Sequence, residues 1–201
     1  TNPKLRQIME FPVLFLGALP QETPALYSLM NYADIKGGTW YPEGGMYAVV
    51  DAMYKLALEL GVEFHFGETV KGILVQNTMA KTVSTDKDYY RANAIISGAD
   101  YHFTETRLLP EECRSYSEKF WAKKVMAPSC LLYYVGLNKK LKQAVHHSLF
   151  FDVPFDKHGR EIYGNPQWPT EPLFYVSVSS MTESEMAPPG CEGIVFLVPV
   201  A

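Results

Sequence analysis

Several sequence features that identify common classes of protein are missing or scarce in this 201-residue sequence. Basic residues are not in excess, since 18 lysines and arginines stand against 22 acidic residues, and no basic run is interleaved with aromatic residues. The sequence therefore predicts no nucleic-acid partner. Its longest apolar runs, such as residues 194–200, are much shorter than the roughly 20 residues that a membrane-spanning helix needs.

Cysteine is also scarce, and the three cysteines are odd in number and widely spaced: Cys113, Cys130 and Cys191. Such spacing does not form a disulfide framework, so we expect reduced thiols and a cytoplasmic setting.

Motifs for the common catalytic sites are absent too. The sequence has no Gly-x-Ser-x-Gly turn, no phosphate-binding loop ending in Lys and then Ser or Thr, and no Gly-x-Gly-x-x-Gly fingerprint. Adjacent His146 and His147 point to opposite faces of an extended chain, and His65, His102 and His158 have no ligand partners at suitable spacing. We therefore predict no metal site, and no residue is nominated as a catalytic acid or base.

What is present is a composition typical of a folded chain, with 47% hydrophobic and 20% charged residues. The first residue, Thr1, is not an initiator, and the last residues, IVFLVPVA, have the β-branched character of a buried strand. These ends lead us to expect a piece of a longer polypeptide.

Hydrophobic periodicity predicts the principal elements. Apolar residues recur at helical spacing from Met46 to Leu60, and Gly61 is placed to end that helix. Pro24 is placed to open a shorter helix. The segments VEFHFG, TVKGILVQ, KTVSTD and DYYRANAIIS predict an antiparallel meander followed by a buried strand at residues 94–96.

The second half of the chain is predicted to be mostly β-structure. Strands are expected at residues 129–137, in HHSLFFDVPF, in LFYVSVSS and at the C-terminal end, after a charged stretch at residues 111–124 with aromatic residues at helical spacing. The fold class is therefore α+β. We expect one compact body with segments at residues 1–45, 46–100 and 101–201.

A glycine-rich segment, GGTWYPEGGM, precedes the helix that begins at Met46. Two glycines ahead of a helix are typical of a tight turn, and spacing alone leaves open whether this turn also binds a ligand.

A longer ordered pattern resembles a known family. GGTWYPEGGMYAVVDAMYKLALELGVEF, followed by ETVKGI and AIISGAD, resembles the middle of the phytoene desaturase family of FAD-dependent, amine oxidase-like flavoproteins. The segments LLYYVGLN and APPGCEGIVFLVPVA extend the resemblance over nearly the whole chain. It implies a mixed or antiparallel substrate-binding domain, with residues 46–100 contributing a three-stranded meander to the FAD-binding domain.

The resemblance also implies a cofactor site. In the family pattern, Val70 follows Thr69 in the meander near the FAD adenine, where a backbone amide and carbonyl contact the ring edge. Ala99 and Asp100, preceded by Ser97 and Gly98, match the segment that approaches the cofactor from another side. The glycine-rich FAD loop of the family is absent from this sequence, so the isolated chain is expected to be inactive.

The implied reaction is dehydrogenation of an acyclic polyene held in an apolar tunnel, with a hydride passing to FAD and a quinone or oxygen as the final acceptor. Tyr27, Trp40, Tyr133, Phe151 and Tyr175 are the substrate-binding candidates. They belong to a larger set of apolar residues suited to a tunnel lining: Phe11, Phe15, Tyr27, Met30, Trp40, Tyr133, Phe150, Phe151, Phe174 and Tyr175. An insoluble substrate and the aromatic-rich first forty residues also suggest contact with a peripheral membrane surface.

Two other interpretations remain open. One is a related lipid-directed flavoenzyme, such as a carotenoid isomerase, an oxygenase or a retinol saturase. The other is a non-catalytic module that binds an apolar ligand or a membrane surface.

Overall fold

A computed structural model describes residues 2–124 and 127–201, with side chains described outside residues 14–16. The chain divides into two compact units, one of Thr1–Glu59 with Ala127–Ala201 and the other of Leu60–Met126. We call them the large unit and the small unit. The domain boundaries that the sequence predicts after residues 45 and 100 stay a prediction.

The large unit begins with short helical segments. Helix α1 spans Pro3–Glu10, where the side chain of Asn2 caps the amide of Lys4 at 2.9 Å. Helix α2 spans Leu29–Tyr32 and directly follows a 3-10 turn at Ala25–Ser28 that starts after Pro24, so the predicted helix start is confirmed. Helix α3 spans Met46–Glu59. Further 3-10 turns lie at Phe11–Leu16 and Pro20–Glu22, and a π-helical turn at Ala33–Gly37.

Helix α3 agrees with the prediction in its bounds, and Gly61 beyond it has a φ of 82°, a conformation that favours glycine. The apolar side chains that predict this helix are nevertheless exposed in the structure, among them Met46, Val50 and Met53. Periodicity thus predicted the helix correctly, but the described residues leave its apolar face exposed to solvent.

The large unit continues with four strands, β4 (Ser129–Leu137), β5 (His147–Phe150), β6 (Phe174–Ser177) and β7 (Glu192–Val200). They form an antiparallel sheet in the order β4-β7-β6-β5. All four coincide with predicted β-segments. Helix α6 (Phe155–Gly159) and a π-helical turn (Arg160–Gly164) lie between β5 and β6, and 3-10 turns at Ser179–Met181 and Ser184–Met186 precede β7.

One face of this sheet is the core of the large unit. Val176, Val178 and Ile194 are buried together, and Leu141 and Ala144 from the β4–β5 connection pack over them. On the other face, Tyr175 is paired with Leu197 and Cys130 with Pro199. Since side chains alternate along a strand, these four residues share that second face.

The small unit contains the predicted meander as β1 (Val70–Gln76), β2 (Met79–Thr85) and β3 (Tyr89–Arg91). The strands are antiparallel and in the order β1-β2-β3, so β1 lies at an edge. Helix α4 (Tyr101–Phe103) runs into a π-helical turn at Thr104–Leu108, and Leu108 and Ile73 are buried. Helix α5 spans Glu118–Trp121 and follows a 3-10 turn at Glu111–Cys113.

Two predicted β-segments are not strands. Residues 94–96, expected to form a buried strand, have no strand partner, and the Ile96 side chain is 96% exposed. Residues 62–67 likewise form no strand, and Phe64 and Phe66 stack on each other at 5.7 Å. A β-branched run becomes a buried strand only where neighbouring strands satisfy its backbone, and the described residues supply none here.

The glycine-rich segment ahead of α3 is a turn with a specific anchor. Gly44 and Gly45 have φ angles of 78° and 82°, and the Gly44 amide donates to Oε2 of Glu183 at 2.8 Å. A Cβ on Gly45 would lie 2.8 Å from the Cε atom of Met186. Backbone conformation and this close contact together account for the glycines.

Within the described residues, none of the helices is both long and apolar enough to cross a membrane.

Candidate functional site

A cavity of about 490 Å³ lies within the small unit and contains two of the three predicted cofactor residues. We call it the meander cavity. Val70 at the start of β1 and Ala99 from the segment between β3 and α4 both line it, although they are distant in sequence. The lining is mostly apolar and is completed by Glu68, Thr69, Ile73, Val83, Ile95, Ile96, Ser97, Gly98, Phe103 and Leu108.

The backbone of Val70 is directed by the hydrogen bonds of its neighbour. The Thr69 amide donates to Oδ1 of Asp86 at 3.0 Å, and its carbonyl accepts from the Asp86 amide at 3.0 Å. In an antiparallel pair, successive residues direct their backbone groups alternately toward the partner strand and away from it. Because Thr69 faces the partner, the amide and carbonyl of Val70 are directed to the open edge of β1.

Asp100, the third predicted cofactor residue, lies beside the cavity as a helix cap. Its Oδ1 atom accepts a hydrogen bond from the Phe103 amide at 2.8 Å and so begins α4. The Ser97 hydroxyl is 2.7 Å from the hydroxyl of Thr104 in the next turn. These two contacts hold the loop at residues 97–100 against α4.

A carboxylate stands at the wall of the meander cavity. Glu68 accepts hydrogen bonds from the Tyr90 hydroxyl at 2.9 and 3.0 Å and from the Thr85 hydroxyl at 2.9 Å. Desolvation, followed by the interaction with Glu68, raises the pKa of Tyr90 to about 12. Tyr90 therefore stays protonated at neutral pH and acts as a donor that holds the carboxylate in place. Sequence reasoning missed both residues, because nothing in their spacing indicates this contact.

A second cavity, of about 460 Å³, lies within the large unit on the sheet face that carries Tyr175 and Leu197. We call it the sheet cavity. Its lining is largely apolar and consists of Phe11, Gly17, Ala127, Pro128, Ser129, Cys130, Tyr163, Leu173, Phe174, Tyr175, Leu197 and Pro199.

The predicted tunnel residues are distributed unevenly around this cavity. Phe11, Phe174 and Tyr175 line it, and the ring of Phe151 packs edge-on against Phe11 at 5.0 Å. Phe150 stacks on Phe174 at 4.5 Å, but it lines a different cavity, with Val176 on the core face of the sheet. Four of the ten candidates therefore lie at or beside the sheet cavity.

The other candidates lie elsewhere. Tyr133 is opposite Phe196 on the other face of the sheet. Trp40 is 88% exposed, and its indole N–H donates to the Gly37 carbonyl at 3.1 Å. Tyr27 is also exposed, and neither it nor Met30 lines the sheet cavity. The side chain of Phe15 lies outside the described residues. Substrate contact by these residues stays a prediction.

A buried histidine, which sequence reasoning treated as ordinary, joins two walls of the sheet cavity. The His158 side chain is 1% exposed; its Nδ1 accepts from the Leu173 amide and its Nε2 donates to the Pro199 carbonyl, both at 3.0 Å. This bonding requires the neutral ring with its hydrogen on Nε2. Burial lowers the pKa of His158, opposed by the Pro199 carbonyl and the Glu161 carboxylate.

We expect stability to fall as pH decreases because of His158. Its pKa is below the ordinary value of about 6.5 in the folded state, so below that pH the unfolded chain binds more protons and folding weakens. The contribution is fully present above about pH 6.5. Urea unfolding of the purified protein between pH 7.5 and 5 measures this slope.

The matched variant is His158→Gln, which keeps one donor and one acceptor but does not titrate. We expect it to have a smaller pH slope, and His102→Gln at an exposed position is the control for the substitution itself. An unchanged slope in His158→Gln would contradict the assignment.

Among the described residues, no cluster of three or more histidine, cysteine or acidic side chains is arranged to hold a metal ion. The prediction that His146 and His147 point to opposite faces is wrong, since their rings stack at 4.2 Å; His146 lies before the first residue of β5, where strand alternation does not apply.

Comparison with known proteins identifies the family of this chain. The family model for flavin-containing amine oxidoreductases matches residues 1–139. This chain belongs to that family.

Individual relatives are similar along the whole length of the chain. A carotenoid 3,4-desaturase of Haloarcula japonica is 36% identical over 100% of the chain and 40% of the relative. A zeta-carotene-forming phytoene desaturase of Myxococcus xanthus is 30% identical over 99% of the chain and 38% of the relative. A phytoene desaturase of Fusarium fujikuroi is 31% identical over 98% of the chain and 35% of the relative. The chain thus spans 35–40% of the length of these relatives.

The matches confirm the resemblance to phytoene desaturases and the expected flavin cofactor of the intact protein. The mixed helical and antiparallel architecture is consistent with the family.

Proposed function

We propose that this chain is the substrate-binding body, together with the adenine side of the FAD site, of a desaturase that dehydrogenates an acyclic polyene. The observation that carries the proposal is the meander cavity, where Val70 and Ala99 meet around an apolar space of about 490 Å³. Small-molecule sites occupy roughly 300–1,000 Å³ and combine apolar walls with few polar groups.

The residues of the meander cavity fit an adenine ring. A flat, largely apolar ring suits walls made by Ile73, Val83 and Phe103. The ring edge carries both donors and acceptors, which the outward amide and carbonyl of Val70 complement. The Glu68 carboxylate adds an acceptor at the same wall. Val70 and Ala99 would therefore hold the adenine, with Asp100 fixing the loop through its helix cap.

The sheet cavity suits an apolar substrate. When bound, FAD supplies the acceptor for the hydride that leaves the polyene, a task that no side chain can perform. Residues such as Leu173, Phe174 and Leu197 exclude water and orient the hydrocarbon by contact. This chain binds and positions, and none of its described side chains is assigned a proton transfer.

The relatives support this substrate class, since their names state carotenoid or phytoene desaturases. Contact with a membrane surface on the cytoplasmic side is part of the proposal, because the substrate is insoluble. It is supported by exposed apolar side chains at residues 26–40, including Leu26, Leu29, Tyr32, Ile35 and Trp40.

The complete protein, incubated with FAD and phytoene-loaded liposomes, tests the function. We expect new visible absorption bands in the lipid extract, because each desaturation lengthens the conjugated system, and we expect the protein to float with the liposomes. A matched incubation without FAD should give no new bands.

The remaining outcomes separate the alternatives. Bound flavin with an unchanged spectrum would replace the desaturase by another lipid-directed flavoenzyme. A protein that binds the liposomes but no flavin would favour the non-catalytic module. Protein that stays in the soluble fraction would contradict membrane contact.

A further inference from the structure

A polar cavity of about 510 Å³ lies in the small unit, beside the turn that joins β1 to β2. We call it the hairpin cavity. Unlike the meander and sheet cavities, it has mostly polar walls, and none of its described lining residues is acidic. Its polar side chains are Gln76, Asn77, Lys81, Thr82, Arg91 and Asn93. The cavity therefore carries two positive charges in a chain whose formal net charge is -4.

A β-bulge in β2 brings the two cations to one cavity. The register between β1 and β2 shifts between Leu74 and Val75, which leaves Lys81 as an extra residue on β2. Regular alternation would put Lys81 and Arg91 on opposite faces, because Arg91 is directly opposite Thr82. A bulge redirects side chains on the strand that contains it. Lys81 and Arg91 accordingly line the same cavity.

Both cations lack a counter-charge. In the part of the chain that the structure describes, neither Lys81 nor Arg91 forms a salt bridge. Like charges on neighbouring positions of a sheet repel each other and destabilise it. An anion bound in the hairpin cavity would compensate both charges.

A buried hydroxyl group adds a second, independent indication of a ligand. Thr82 is 8% exposed and lines the hairpin cavity, and its hydroxyl forms no hydrogen bond with the described residues. Burying a hydroxyl without a partner is unfavourable. A ligand oxygen in the cavity would accept from this hydroxyl, and the carboxamide groups of Asn77 and Asn93 add further donors.

The donor set fits a phosphate group. An arginine guanidinium donates two parallel hydrogen bonds to phosphate, and a lysine adds a point charge. The hydroxyl and carboxamide donors suit the remaining oxygens of the same group. A carboxylate offers only two oxygens and one negative charge, so it would satisfy fewer of these groups.

We propose that the hairpin cavity binds a phosphate group, carried either by a soluble compound or by the headgroup of an anionic phospholipid. Thr82 is followed by Val83, which lines the meander cavity, and adjacent residues of a strand point to opposite faces. The phosphate site is therefore separate from the proposed adenine site. It does not depend on the proposed function, since no polyene takes part.

Titration calorimetry with inorganic phosphate tests the site in the complete protein saturated with FAD, so that the cofactor occupies its own site. We expect saturable binding that weakens as the salt concentration rises, because salt screens exposed charges. Arg91→Gln and Thr82→Val should each lower the affinity about 10-fold, as expected for a hydrogen bond to a charged group. Thr82→Val leaves both cations in place, so it separates a specific site from diffuse charge attraction.

Lys87→Gln is the matched control, since it removes one positive charge from an exposed position between β2 and β3. Its phosphate affinity should stay within about twofold of the unsubstituted protein. Circular dichroism checks the fold of each variant, and Lys81→Gln takes the place of Arg91→Gln if the latter fails to fold.

Flotation with vesicles distinguishes the two sources of phosphate. The vesicles contain phosphatidylcholine alone or phosphatidylcholine mixed with phosphatidylglycerol. More protein floating with the mixed vesicles, and loss of that difference in Arg91→Gln and Thr82→Val, would support the site and identify a lipid headgroup. Binding of inorganic phosphate without a difference between the vesicles would support the site and identify a soluble ligand.

Two results would overturn the inference. One is the absence of both phosphate binding and a difference between the vesicles. The other is binding that Arg91→Gln and Thr82→Val leave unchanged. A protein that binds phosphate here but desaturates no polyene would contradict the proposed function alone.

Discussion

Replacing Gly45 by alanine is expected to lower the free energy of unfolding by about 2–3 kcal/mol. Gly45 is buried with a φ of 82°, a conformation that costs an L-residue about 1–2 kcal/mol. The new methyl group would also lie 2.8 Å from Cε and 2.9 Å from Sδ of Met186, so that side chain must move. Chemical denaturation of the purified protein measures the change.

Gly37→Ala provides the control within the same glycine-rich segment. A Cβ on Gly37 meets no atom within 4 Å, and its φ is not positive. We expect this substitution to be neutral or to stabilise by up to about 1 kcal/mol, since alanine loses less backbone entropy than glycine on folding. If the two substitutions changed the free energy of unfolding equally, the positive φ of Gly45 and its contact with Met186 would not contribute to the stability of the turn before α3.

Replacing Val70 by proline is expected to weaken FAD binding by about 10-fold in the complete protein, because proline removes the amide that we assign to the adenine edge. The fold should tolerate the change. Val70 is the first residue of β1, which is an edge strand, and proline is accepted at such positions. A flavin fluorescence titration measures the affinity.

Val70→Ile is the matched variant, since it keeps the amide and the β-branched side chain. We expect its FAD affinity to stay within about twofold of the unsubstituted protein. If Val70→Pro binds FAD with full affinity and an unchanged circular dichroism spectrum, the amide of Val70 does not contact the cofactor.

Local patterns predicted the elements whose stability is local. Helix α3 and the antiparallel strands β1, β4 and β7 are long enough for periodicity and β-branched composition to be informative, and the structure confirms them. The strand predicted at residues 94–96 is wrong, because the same composition needs strand neighbours that the described residues do not provide.

The candidate site was predictable only in part. Val70 and Ala99 came from an ordered family pattern, and the structure places them in one cavity. Glu68 and Tyr90 could not be found in this way, because their contact joins the start of β1 to β3 through side chains. The same is true of His158, which is bonded to the backbone of Leu173 and Pro199.

The sequence by itself therefore determined the family, the principal helix, the meander and the strands of the larger sheet, because ordered motifs and local periodicity are written directly in residue order. Only the tertiary structure decided which side chains meet. Strand register placed Tyr175 beside His147 and Leu197, and alternation turned Tyr133 to the opposite face. Register is fixed by packing and hydrogen bonding between segments remote in the chain, and a one-residue shift would exchange the two faces.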